Sequence, residues 1–157
     1  MASNNFTYNI GTFQFAEGTL HLLTDNLAVL LVTPAYFQSN TVAFLADANS
    51  VSDLETFELT TASVVGYVRQ PVLSRALTRV GDGGVTNGYV YLQAANVTFT
   101  ALYTGNTVGG AVLIKDTGVN ATSIPLGFYY ITPTPTNGGD VSVRWANTSN
   151  GGALKIV

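Results

Sequence analysis

One short stretch carries the residues most able to do chemistry. Residues 112–122 read VLIKDTGVNAT, and Asp-Thr-Gly after an apolar run is the pattern that holds the catalytic aspartate of aspartic proteases. That chemistry needs two such aspartates sharing a proton, so a chain of 157 residues would have to dimerise to use it. The surroundings of Asp116 argue against it. Lys115 precedes it where an apolar residue is expected, and Val119 stands where a small residue is usual. IPLGFYY, which imitates the later glycine segment of the proteases, follows within a few residues instead of tens. Asp, Thr, Gly and Asn are also what a hairpin loop requires, because Gly and Asn tolerate positive φ. The expectation is that Asp116 is the corner of a hairpin.

The other chemical candidates are weaker. Asp47, Asn49 and Glu58 fall at the first, third and twelfth places of a calcium loop. Val51 then occupies the fifth place, where no side-chain ligand is possible, and Ser52 the sixth, where the turn needs glycine. The acids Asp47, Asp53, Glu55 and Glu58 therefore read as a solvated loop face. His21 is the one histidine, in the apolar context TLHLL, and is expected to be a partly buried structural residue. With no cysteine, thiol catalysis, disulfides and cysteine-ligated metals are excluded. GDGG and the two NGG triplets lack the lysine and spacing of a phosphate loop and read as turns. The eight Tyr and Trp145 could face a sugar, but such residues are also common in strands. No catalytic, cofactor-binding or metal-ligating residue is assigned, and no cofactor is expected.

The elements that must position these residues are mostly strands. Charged residues are 10% of the chain against roughly 25% in ordinary soluble domains. Thr, Ser, Asn and Gly supply the polarity, which favours strands and turns over solvent-facing helices. Residues 13–23 and 41–48 are read as short helices. Residues 25–33, DNLAVLLVT, are read as a strand buried on both faces. Strands are expected at 57–65, at 67–75 with Pro71 at an edge or bulge, at 89–92, 96–103, 110–115 and 124–132. Residues 80–88 and 133–139 read as loops, and 141–145 with 153–157 as a closing hairpin. Short strands separated by Gly/Asn turns predict an all-β fold: a single-domain antiparallel β-sandwich or barrel with one or two short helices near the N-terminus. Residues 1–12 are expected to be a flexible arm and 13–157 the domain.

The net charge is −3 and the six cations are scattered, so binding to nucleic acid through phosphates is not expected. The longest apolar run, residues 27–32, is far too short for a membrane span, and MASNNFTYNIGTF has no signal-peptide pattern. On that reading the Asn-x-Ser/Thr triplets at Asn5, Asn96, Asn120 and Asn147 are not glycosylation sites. Trp145, Tyr67, Phe99 and Leu30 are the expected core.

Four segments in order carry a family resemblance: FAEGTLHLLTDNLAVLLVT with AYFQSNTVAFLAD, GYVRQPVLSR with NVTFTAL, AVLIKDTGVNATSIPLGFYYI, and NGGDVSVRWANTSNGGALKIV. Together they resemble small virion structural proteins of tailed bacteriophages over roughly residues 13–157. One departure is QAANV at 93–97, where the family often carries acids. The resemblance implies that Lys-Asp-Thr-Gly is part of a hairpin. It also implies a capsid decoration or cement protein on the outer surface of the virion, assembled in the bacterial host cytoplasm. The implied partners are the major capsid protein and copies of the chain itself, as a homo-oligomer, with no nucleic acid and no membrane. The alternatives are a tail, neck or fibre protein, and a carbohydrate-binding module for the host surface using Trp145.

Overall fold

The structure is a computed structural model that describes residues 5–38, 45–80, 89–103, 105–145 and 153–156. It is mainly antiparallel β. The strands are β1 (Phe6–Thr7), β2 (Leu27–Val32), β3 (Gln70–Pro71), β4 (Ala76–Val80), β5 (Tyr89–Gln93), β6 (Val97–Phe99), β7 (Thr107–Lys115), β8 (Ile124–Pro135), β9 (Val141–Val143) and β10 (Leu154–Ile156). The described residues add two short helices, α1 (Asn9–Ala16) and α2 (Ala35–Gln38), and a 3-10 turn over Val51–Leu54. One sheet has five strands in the order β1-β8-β7-β2-β3, a second has β10-β5-β4, and a third has β6-β9.

The large sheet is the middle layer, and β2 shows why. Successive side chains of a strand point to opposite faces. Leu27, Val29 and Leu31 join one core cluster, whereas Ala28, Leu30 and Val32 join another. A strand covered on both sides needs an unbroken apolar sequence, and LAVLLV supplies it. The first core lies against β5, β6, β9 and β10 through Leu92, Phe99, Val143 and Leu154. The second lies against Tyr8, Tyr36, Leu45, Val51 and Leu54. Each buried Leu or Val stabilises by about 1.5–3 kcal/mol relative to exposure.

β7 and β8 form the long central hairpin. Leu113 pairs with Gly127 and Ile114 with Pro125, so Leu126 is one residue extra on β8. That bulge changes which face the strand presents: Leu126 points into the first core and Phe128 into the second. Close approach explains the glycines of β7. A Cβ on Gly110 would lie 2.5 Å from the Phe128 ring, and one on Gly109 would lie 2.4 Å from Cα of Pro34.

Several sequence expectations need correction. Residues 6–12 are no free arm: β1 pairs with β8, Tyr8 is fully buried, and α1 begins at Asn9. The first helix starts and stops earlier than 13–23, because the chain turns at Gly18 with φ +71°. Leu20 and Leu22 then reach the first core from a turn. Residues 57–65 are not a strand. Thr60 and Ser63 exchange side-chain and backbone hydrogen bonds that fold the segment into a turn. β9 and β10 do not form a hairpin together; β9 pairs with β6 and β10 with β5. β8 continues through Pro133 to Pro135, where a loop was expected. Of the second helix expected, 41–48, residues 41–44 lie outside the described residues while Leu45 and Ala46 are helical, and most of the loop 80–88 lies outside them too. Pro71 does sit at a sheet edge, on β3. Tyr67, Phe99 and Leu30 are core, while Trp145 is only partly buried against it.

Candidate functional site

Asp116 follows the last residue of β7, and its carboxylate shapes the loop to β8. Its Oδ1 accepts from the Gly118 N–H at 2.9 Å and from the Ser123 hydroxyl at 3.3 Å. Its backbone N–H donates to the Asn26 carbonyl at 2.8 Å. The carboxylate is thus engaged in closing its own turn, which is what a hairpin corner does.

The loop is latched to the rest of the molecule by Arg69. Its guanidinium donates to both oxygens of Glu58, at 2.7 and 2.6 Å, and to the Asn120 side chain at 2.8 Å. Asn120 in turn donates to Glu55 at 2.7 Å. Arg69 also lies 3.9 Å from Asp116. Behind the pair, the Tyr67 hydroxyl donates to Glu58 at 2.9 Å and accepts from the Leu31 N–H of β2 at 3.1 Å. The hydrogen-bonded Glu58 carboxylate raises the Arg69 pKa further, against the opposing effect of burial. Burial, and then the Glu58 charge, push the Tyr67 hydroxyl well above its ordinary range. The network spans 55–69 and 116–123 and ties them to β2 through hydrogen bonds.

The acids of the calcium-loop pattern diverge. Asp47 accepts from the Asn9 side chain. Asp53 accepts from the backbone N–H groups of Asn49 and Ser50 at 2.9 and 3.1 Å and so caps the 3-10 turn. Glu55 and Glu58 belong to the Arg69 network. Among the described residues no group of three or more acids and histidines is placed to hold a metal.

His21 is exposed, contrary to the partly buried role expected for it. Its backbone N–H donates to Asp25 at 2.8 Å, and Asp25 pairs with Lys115 at 2.9 Å. Burial works to raise the Asp25 pKa, but the His21 N–H and Lys115 outweigh it and hold the carboxyl below its ordinary value. Trp145 does not offer a flat sugar platform. Its ring meets Tyr129 edge to face at 5.1 Å, and its indole N–H donates to the Ala95 carbonyl at 2.7 Å.

Two features were not singled out from the sequence. The first is β4, the outer strand of the three-stranded sheet, with Leu73 before it 61% exposed and Leu77 on it 41% exposed. The second is a cleft of about 370 Å³ lined by Tyr36, Leu45, Ala48, Leu54 and Phe57, with Asp47, Asn49 and Asp53. The signal for β4 was faint: ALTRV alternates weakly and follows Ser74, whose φ of 53° breaks the strand pattern. The cleft joins 36 to 45–57, a juxtaposition that no local pattern displays.

No protein-family model, curated protein or solved structure matches the chain.

Proposed function

We propose that the chain is a non-enzymatic structural protein of a tailed-bacteriophage virion, bound to the outside of the capsid lattice as a decoration or cement protein. The order of its motifs supports the family, and the exposed edge of β4 is the observation that carries the mode of action. An edge strand presents unpaired N–H and C=O groups, a template for a strand from a neighbouring chain. Natural proteins usually guard such edges with lysine, proline or a bulge. β4 carries one charge, Arg79, and exposes Leu77 instead. The ion pairs among the described residues, at Glu58–Arg69, Arg69–Asp116 and Asp25–Lys115, are internal staples. These pairs hold loops rather than the edge, and a largely uncharged β4 is left for packing.

On a capsid each such contact is modest, yet many copies on a closed shell make the loss of one inconsequential. The partners on this reading are the major capsid protein and further copies of the chain. A tail, neck or fibre location uses the same fold and differs in copy number. The glycan-binding alternative is disfavoured by Trp145, whose ring packs on Tyr129 and whose N–H is already used inside the molecule.

Co-sedimentation of the purified chain with capsids lacking it tests the reading. Saturable binding, lost in Leu77→Lys while the melting temperature holds, is the expected result. Undiminished binding of Leu77→Lys would remove β4 as the contact, and no binding at all would remove the capsid role.

A further inference from the structure

We propose that the cleft beside the second core receives an arginine side chain presented by a partner polypeptide. The inference is independent of the virion reading, since it rests on the cleft alone. Its size, about 370 Å³, lies at the small end of ligand sites and suits a single side chain.

The walls are apolar and aromatic. Tyr36 and Leu54 are almost fully buried and form part of the lining, and the Tyr36 and Phe57 rings meet at 5.3 Å and 63°. The rim is acidic. Asp47 and Asp53 both line the cleft and both are exposed. No lysine or arginine is among the described residues that line it.

Among the described residues, the donors that hold the two carboxylates are neutral. Asp53 accepts two backbone N–H groups, and Asp47 accepts the Asn9 amide. None of the ion pairs among the described residues involves either one. A carboxylate accepts about four hydrogen bonds, so each retains acceptor capacity and an uncompensated negative charge. The Asp53 charge also reaches the Tyr36 hydroxyl, adding to burial in raising it.

A positively charged group with an apolar stem satisfies both halves of such a site. Arginine fits better than lysine. Its guanidinium is planar, weakly hydrated, stacks on aromatic faces and donates in plane to carboxylates. An ammonium is compact and strongly hydrated and gains less from the partly exposed Phe57 ring.

The test is an NMR titration of the ¹⁵N-labelled full chain with the peptide acetyl-Gly-Arg-Gly-amide. The control replaces the arginine by citrulline, which has nearly the same shape and no charge. Saturable shifts at the amides of Asp53, Leu54 and Phe57 are expected, with a dissociation constant on the order of 1–10 mM. Citrulline is expected to bind at least about tenfold more weakly, a difference of about 1.4 kcal/mol. The double variant Asp47→Asn, Asp53→Asn retains acceptors for the local hydrogen bonds and is expected to lose binding to the same degree. If that variant fails to fold, Asp47→Asn alone is expected to weaken binding, with a shallower salt dependence than the parent chain. Equal binding of the arginine and citrulline peptides would overturn the proposal. So would shifts confined to other residues, or none at about 20 mM peptide, well above the expected constant.

Discussion

At the scale of residues, most charged groups of the described chain that make side-chain contacts hold neighbouring loops. Glu58 and Arg69 are the clearest pair, with side chains 9% and 20% exposed and two hydrogen bonds between them. Removing one partner strands the other. Arg69→Ala is therefore expected to cost about 1–3 kcal/mol, less than a fully buried pair would lose. Urea unfolding would show it as a lower midpoint at unchanged slope. Asp116→Ala removes a turn acceptor and is expected to cost about 1 kcal/mol with no effect on assembly. The buried tyrosines give the chain an alkaline limit. Tyr8 and Tyr36 share a 2.7 Å hydrogen bond, and burial, helped by Asp53, pushes the Tyr36 hydroxyl up to about 12 from 10.0. Tyr8 is raised in the same direction, first by burial. Because the unfolded chain ionises first, this contribution is complete below pH 10.0 and is lost as pH rises through about 12. Unfolding midpoints measured across that window should fall, and more shallowly in Tyr36→Phe. A flat profile in the parent chain would contradict the buried placement of these hydroxyls.

At the scale of elements, the sequence was readable where the constraint is local. The run LAVLLV could only be a strand covered on both sides, and it is. Asp-Thr-Gly-Val-Asn between two apolar strands announced the β7–β8 hairpin, because its turn residues are fixed by backbone geometry. Pairings between distant segments were not readable. VSVRW and ALKIV look like hairpin partners by proximity, yet each joins a strand more than forty residues earlier. Phe57 to Val65 has strand-forming residues, but Thr60 and Ser63 bond to each other and turn the chain. His21 looked buried from its apolar neighbours, and the turn after Gly18 puts it outside. Two substitutions probe the central sheet. Leu30→Ala, at a fully buried position of β2, is expected to cost about 2–5 kcal/mol. Gly110→Ala drives a methyl into the Phe128 ring and is expected to cost about 1–3 kcal/mol. Thermal melts of both variants would report these losses, and a neutral Gly110→Ala would mean that Phe128 moves aside freely.

At the scale of the whole molecule, the layers divide the work. The five-stranded sheet is covered on both faces by the two cores along most of its length, while β8 beyond Phe128 is largely exposed. Peripheral features include the edge of β4 in one sheet, and the cleft between Tyr36 and Phe57 on the opposite side of the central layer from the first core. Neither was visible in the sequence, since one is set by sheet order and the other by packing of separate segments. A lattice protein needs contacts of this kind, spread over its rim and repeated in every copy. The most direct test is the copy number of the chain in gradient-purified particles, relative to the major capsid protein, by quantitative mass spectrometry. A simple whole-number ratio to the capsid protein, with copies in the hundreds per shell, is the predicted result. A handful of copies would place the chain in the tail, neck or fibres, and its absence from the particle would contradict the virion role altogether.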